Sequence, residues 1–134
     1  MTKALAHVCF HVRDLDDSIA FYTDKLGLEH AFDLNGDDGN RLGSYLRVGG
    51  RSFIELFPGE IREKAEGQSY AHLSIEVDDI DAAVAGLRAK GIEVTDPVLA
   101  IDHNWQAWLT DPDGNSIELH CYTPESDQFR LLGE

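Results

Sequence analysis

HLSIEVDDIDAAVAGLRAKGIEV, residues His72 to Val94, decides the fold, because it repeats HVCFHVRDLDDSIAFYTDKLGLE, residues His7 to Glu29. At an offset of 65 residues His72 falls on His7, Val77 on Val12, Asp79 on Asp14 and Asp81 on Asp16. Val84 then falls on Ile19 and Lys90 on Lys25. A single-residue gap follows, after which Gly91 falls on Gly27 and Glu93 on Glu29. Downstream, FIEL at Phe53 to Leu56 recurs as SIEL at Ser116 to Leu119, at an offset of 63. Each half therefore opens on a strand carrying a histidine and closes on a strand carrying a glutamate. A fixed internal period of this size marks a duplicated supersecondary unit, here βαβββ.

The elements of each half follow from periodicity. Val8, Phe10 and Val12 alternate with His7, Cys9 and His11, the period of two that gives a strand one apolar and one polar face. Asp14 to Ser18 supplies groups suited to a helix start, and Leu15, Ile19, Tyr22 and Leu26 form a helical apolar stripe closed by Gly27. That stripe is core. Leu28 to Leu34 reads as a strand and 35–40 as a loop. Leu42 to Val48 and Ser52 to Phe57 flank a glycine pair as a hairpin. In the second half Tyr70 to Val77 reads as a strand and Asp78 to Lys90 as a helix on Ile80, Val84 and Leu87. Ile92 to Thr95 reads as a short strand stopped by Pro97. Residues 98–104 read as irregular, Trp105 to Thr110 as a strand, Asp111 to Gly114 as a tight turn and Asn115 to Cys121 as the last strand. Thr123 to Glu134 is expected to pack loosely as a tail.

Composition narrows the function. A chain of 134 residues with 43% hydrophobic side chains can build a core unaided; one of about 150 residues buries roughly 70% of its unfolded surface. Eleven basic against 25 acidic residues leave a net charge of −14, which argues against nucleic acid and anionic membranes as partners. No apolar run approaches the roughly 20 residues of a membrane span, and MTKALAHVCF lacks a signal-peptide core and cleavage site. Two cysteines make no disulfide framework, so a reducing, cytoplasmic location is expected.

The non-helix face of the strands collects His7, Cys9, His11, Glu55, His72, Ser74, Glu76, Ser116, Glu118 and His120. Within it the duplication relates His7 with Glu55 to His72 with Glu118. Two imidazoles and two carboxylates brought towards one point suit Zn, Ni, Co, Fe or Mn, not a thiolate-bound structural zinc. One such divalent ion per site is the expected cofactor. Cys9 belongs to this face and Cys121 to the core face, so a disulfide between them is not expected.

These stretches, with DPDGNSIELH at Asp111 to His120, resemble the vicinal oxygen chelate superfamily, which includes glyoxalase I, methylmalonyl-CoA epimerase, fosfomycin-resistance proteins, extradiol dioxygenases and bleomycin-resistance proteins. The likeness runs from about Ala4 to His120. It implies an α+β fold in which two repeated βαβββ modules form a curled mixed sheet around a metal-binding cleft. Residues 1–134 would form one such domain: module 1 at about 4–58, a linker at 59–69, module 2 at about 70–121 and a C-terminal tail at 122–134, within a homodimer. His7, Glu55, His72 and Glu118 match all four metal positions of the glyoxalase I pattern, whereas fosfomycin-resistance and extradiol enzymes use two histidines and one glutamate.

The resemblance thus implies a metal-dependent lyase or isomerase that acts on a small molecule with adjacent oxygens through an enediolate. Glu118 or Glu55 would be the base, with the lean towards Glu118. Glyoxalase I proteins resembling this chain carry arginine where His11 stands, asparagine where Gly59 stands and a basic residue near Gln68. Those side chains hold glutathione, and that clamp is not recognisable here. His11, Asp102, His103, Asn104 and Trp105 are the expected substrate contacts. The alternatives are a bleomycin-resistance type protein that sequesters a small molecule, an antibiotic for instance, without turnover, and an iron-dependent dioxygenase.

Overall fold

The computed structural model describes residues 1–63 and 66–133. Positions 64 and 65, inside the expected linker, and position 134, the last of the expected tail, lie outside the described residues. The chain divides into two compact units, residues 1–68 and 69–134.

In the first unit β1 (His7–Val12) leads into α1 (Leu15–Ala20), which continues as a π-helical turn over Phe21–Lys25 before β2 (Glu29–Asn35), β3 (Arg41–Gly49) and β4 (Ser52–Pro58). The second unit repeats this with β5 (Leu73–Glu76), α2 (Ile80–Ala89), β6 (Val98–Leu99), β7 (Trp105–Thr110) and β8 (Ser116–Cys121), then adds α3 (Asp127–Leu132). The sheets have the equivalent orders β1-β4-β3-β2 and β5-β8-β7-β6. In each, the first strand runs parallel to the last and every other pairing is antiparallel. The fold is α+β, two βαβββ units each with its own mixed sheet.

The repeat fixes equivalent helix starts. Asp14 and Asp79 are N-caps whose carboxylates accept the amides of Asp17 and Ala82, both at 3.0 Å, each cap contributing about 1 kcal/mol. Phe10, Val12, Leu15, Tyr22, Leu46, Ile54 and Leu56 form the first unit's core, with Phe21 and Leu28 beside them. Ile75, Ile80, Val84, Leu87, Ala107, Leu109, Ile117 and Leu119 form the second. Ile19 and Leu26, expected in the first stripe, are only half-buried.

Three elements differ from expectation. The one-residue gap between the repeats becomes the π-helical turn: Leu26 donates its amide to the Phe21 carbonyl, five residues back, at 3.1 Å, which takes up one extra residue without moving Gly27 from its capping position. The strand expected over Ile92 to Thr95 is absent. There the Trp108 amide donates to the Thr95 hydroxyl at 2.8 Å instead of a backbone carbonyl, and Pro97 has no amide to extend a ladder. The Thr95 amide still donates to the Trp108 carbonyl at 3.0 Å, but a ladder forms only at Val98–Leu99, inside the stretch read as irregular. Finally, the tail is not loose throughout, because Ser126, fully buried, caps α3 by accepting the Phe129 amide at 3.1 Å. No helix among the described residues is long and apolar enough to cross a membrane.

Candidate functional site

In the first unit the register sets Glu55 on β4 beside Cys9 on β1 and Tyr45 on β3. All three project from the face opposite the core residues Ile54 and Leu56. His7 Nε2 lies 3.6 Å from Glu55 Oε2, and the Tyr45 hydroxyl donates a short hydrogen bond to the same oxygen. The Tyr45 ring packs its edge against His7, with centroids 5.6 Å apart, and stacks on Phe32 at 4.8 Å. Burial, followed by a hydrogen bond to Glu55, pushes the Cys9 thiol above its ordinary value, so it stays protonated at neutral pH.

The second unit builds the same arrangement from different side chains. Glu118 on β8 sits beside Ser74 on β5 and Trp108 on β7, and it is buried. His72, one residue before β5, places Nε2 at 2.9 Å from Glu118 Oε2. His120 Nδ1 lies 2.5 Å from the other carboxylate oxygen. The Trp108 ring meets His72 edge-on at 4.8 Å. Tyr45 and Trp108 are therefore the same position of the repeat, 63 residues apart, each across the ladder from a glutamate and against a histidine. Neither was singled out from sequence, although that offset pairs them.

Beside Glu118 lies a cleft of about 750 Å³ lined by Ser74, Glu76, Asp102, Gln106, His120 and Gln128, among others. Among the described residues its lining holds three carboxylates and no lysine or arginine. Asp102 is held below its ordinary value, first by the Asn104 side chain and also by the Asn104 amide and Gln128. Burial, then the charge of Glu76, raises the Tyr122 phenol.

Of the expected substrate contacts, Asp102 lines this cleft, while His103, Asn104 and Trp105 do not. Asn104 is fully buried and donates to Gln128 Oε1 at 3.0 Å. His103 takes a positive φ of 63° and its carbonyl accepts the Thr123 hydroxyl at 2.5 Å. Trp105 is partly exposed at the start of β7. His11 is exposed on β1, and a Cβ on Gly59 would come within 3.3 Å of its ring carbon Cγ. Two of the three positions that depart from the glutathione-binding pattern, His11 and Gly59, are thus neighbours, since a side chain at 59 would press on the histidine. Gln106 and Gln128 are lining residues that periodicity alone does not single out.

Among the described residues, no three histidine, cysteine, aspartate or glutamate side chains gather as a metal cluster. The donor chemistry of the four repeat-related residues nevertheless fits a divalent transition ion. In each unit an imidazole nitrogen already faces a carboxylate oxygen, and none of the four is a thiol.

Two βαβββ units, each setting a histidine beside a strand glutamate, define the class as a duplicated βαβββ protein. The chain belongs to the Glyoxalase/Bleomycin resistance protein/Dioxygenase superfamily, whose model matches residues 4–119. Members of this superfamily bind small molecules and typically use a divalent metal. The chain is 31% identical over 121 residues to a probable lactoylglutathione lyase of Vibrio cholerae, spanning 86% of this chain and 88% of that protein. It is 31% identical over 123 residues to the metallothiol transferase FosB of Staphylococcus epidermidis, covering 87% and 80%. Among solved structures, TnmS3, an antibiotic binding protein from Streptomyces sp. CB03234, matches with a TM-score of 0.74 and 26% identity over 91% of this chain and 98% of that one.

Proposed function

We propose that the chain is a metal-dependent lyase or isomerase of the glyoxalase kind, in which His7, Glu55, His72 and Glu118 serve one divalent ion. The ion would be Zn, Ni, Co, Fe or Mn, and the chain would work as a homodimer on a small substrate with adjacent oxygens. The observation that carries this reading is the repetition of one imidazole–carboxylate pair at equivalent places in both units. Likeness to a probable lactoylglutathione lyase and to a metallothiol transferase supports it.

When bound, the ion supplies Lewis-acid stabilisation of the charge that develops on vicinal oxygens. The residues of the chain do the rest. His7 and His72 would hold the ion through imidazole nitrogens. Glu118, with its second oxygen against His120, takes a proton from the carbon beside the carbonyl and returns it to the neighbouring carbon. Asp102, Gln106 and Gln128 orient the polar part of the substrate in the cleft. The carboxylates of Glu76, Asp102 and Glu118 in that lining favour a substrate other than a glutathione adduct, whose own carboxylates they would repel.

The test is metal analysis of the purified full chain alongside H72A and E55A. About one transition-metal ion per four-residue set, lost in both variants, is the expected result. A metal-free protein that binds small molecules equally well with and without chelator would refute it, and would favour the second reading: a sequestering protein, the reading supported by the likeness to the antibiotic binding protein TnmS3.

A further inference from the structure

The duplication makes the two glutamates formally equivalent, yet their surroundings are not. Across the ladder from Glu55 stands Tyr45, and across from Glu118 stands Trp108. Two residues past each glutamate stand Phe57 and His120. The group that reaches the carboxylate has therefore changed strands between the repeats. Unit 1 uses the phenol of its third strand, and unit 2 uses the imidazole of its last strand. The two aromatic rings otherwise do the same job, each meeting its histidine edge-on, at 79° and 83°.

We propose that Tyr45 is a positioning residue that holds Glu55 in place as a metal ligand. This rests on the metal-dependent reading above. The Tyr45 ring packs against Phe32, Phe53 and His7, which sets where its hydroxyl lies. Its O–H donates to the oxygen that faces His7, so this bond orients Glu55 towards the imidazole. An outer hydrogen-bond partner of this kind fixes a ligand's direction, and its removal costs about 10- to 100-fold in metal affinity. Glu118 has no such anchor on its cross-strand neighbour. It shares its two oxygens between His72 and His120, and it opens on the cleft.

The test measures zinc affinity of the full chain by competition with a chromophoric chelator, for wild type, Y45F, E55A and the double variant Y45F/E55A. Y45F keeps the ring and its packing. It is expected to weaken zinc binding about 10- to 100-fold, and to add no further loss in the E55A background, because a residue acting through Glu55 has nothing left to act on. Y45W, which copies the residue used at the same register in unit 2, is expected to show the same loss, and serves if Y45F is unstable. A structural role alone would lower the melting temperature but would not make the zinc effect depend on Glu55. Unchanged affinity in Y45F, in a chain whose E55A variant does lose zinc, overturns this inference alone, as does an equal loss in both backgrounds. A wild-type chain that binds no zinc, or an E55A variant that binds it as wild type does, overturns the metal-dependent reading itself.

Discussion

Replacing Gln128 by alanine should release α3 from its unit while leaving the sheet intact. Asn104 is wholly buried, and among the described residues no partner reaches its Oδ1. Its Nδ2 has one good hydrogen bond, to Gln128 Oε1 at 3.0 Å, and one long contact, to the Asp102 carbonyl at 3.4 Å. Without Gln128 the amide keeps only the long contact, and a buried polar group left in that state costs about 1–3 kcal/mol. The side chain of Gln128 also reaches Asp102 Oδ2 at 3.4 Å, so the same change loosens a carboxylate of the cleft. A helix of six residues cannot hold itself together in water. The cost should therefore emerge as undocking of α3 and not as global unfolding. Converted at 1.4 kcal/mol per factor of ten, the open population rises about 5- to 150-fold. Amide hydrogen exchange reads this directly: amides from Phe129 onward should exchange faster by that factor, while those of Ala107 and Leu119 in β7 and β8 keep their protection. Unchanged exchange at Phe129 would refute the reasoning, and so would an equal acceleration in the sheet.

Gly43→Ala should destabilise by about 1–3 kcal/mol, because the added Cβ would stand 2.7 Å from the Leu56 carbonyl oxygen and 2.8 Å from the Phe57 ring, and the backbone oxygen cannot yield. Gly49→Ala on the same strand meets nothing within 4 Å and is the control; equal melting temperatures for the two variants would contradict the packing. Asp33 is held below its ordinary value chiefly by the Ser44 hydroxyl, which donates at 2.6 Å, and then by His30. A depressed carboxylate stabilises the fold above its unfolded value of about 3.9 and loses that contribution as pH falls through the lower folded value. Asp33→Asn should accordingly flatten the loss of stability on acidification below about pH 4, measured by denaturant titration at several pH values; an unchanged slope would remove Asp33 from the account.

The duplication and the alternation of its strands were readable because both are patterns of residue type. Val8, Phe10 and Val12 against His7, Cys9 and His11 fix which way each side chain points, and the 65- and 63-residue offsets carry that assignment from one unit to the other. The one-residue gap near Gly27 was visible too, but a gap names no conformation, and only the Leu26-to-Phe21 hydrogen bond identifies it as a π-helical turn. Ile92 to Thr95 looked like a strand because its apolar residues alternate. Strand formation also needs backbone partners, and here a threonine hydroxyl took the place of a carbonyl. The tail misled for a related reason: Ser126, Gln128 and Asn104 form a polar anchor between segments more than 20 residues apart, which no local period encodes. Tyr45 escaped notice because an aromatic residue on a strand reads as packing until its cross-strand partner is known to be a carboxylate.

The same reasoning explains why the two halves of a duplicated site need not keep equal roles. At the moment of duplication each unit holds one histidine and one glutamate, and a shared ligand would see two identical carboxylates. Every later substitution at the cross-strand position or two residues beyond the glutamate breaks that equality, because those are the positions whose side chains can reach the carboxylate. In this chain both have diverged: the position held by Tyr45 in unit 1 is held by Trp108 in unit 2, and that of Phe57 by His120. The support has moved with them: Glu55 takes a hydrogen bond from Tyr45 on β3 as well as its contact with Cys9, while Glu118 is met by His120 on its own strand as well as by His72. A phenol locked in an aromatic stack and an imidazole at the lip of a cleft impose different freedom on the groups they touch. Two glutamates made equal by duplication can thus come to sit in different surroundings through a change in which neighbouring strand supplies the supporting hydrogen bond.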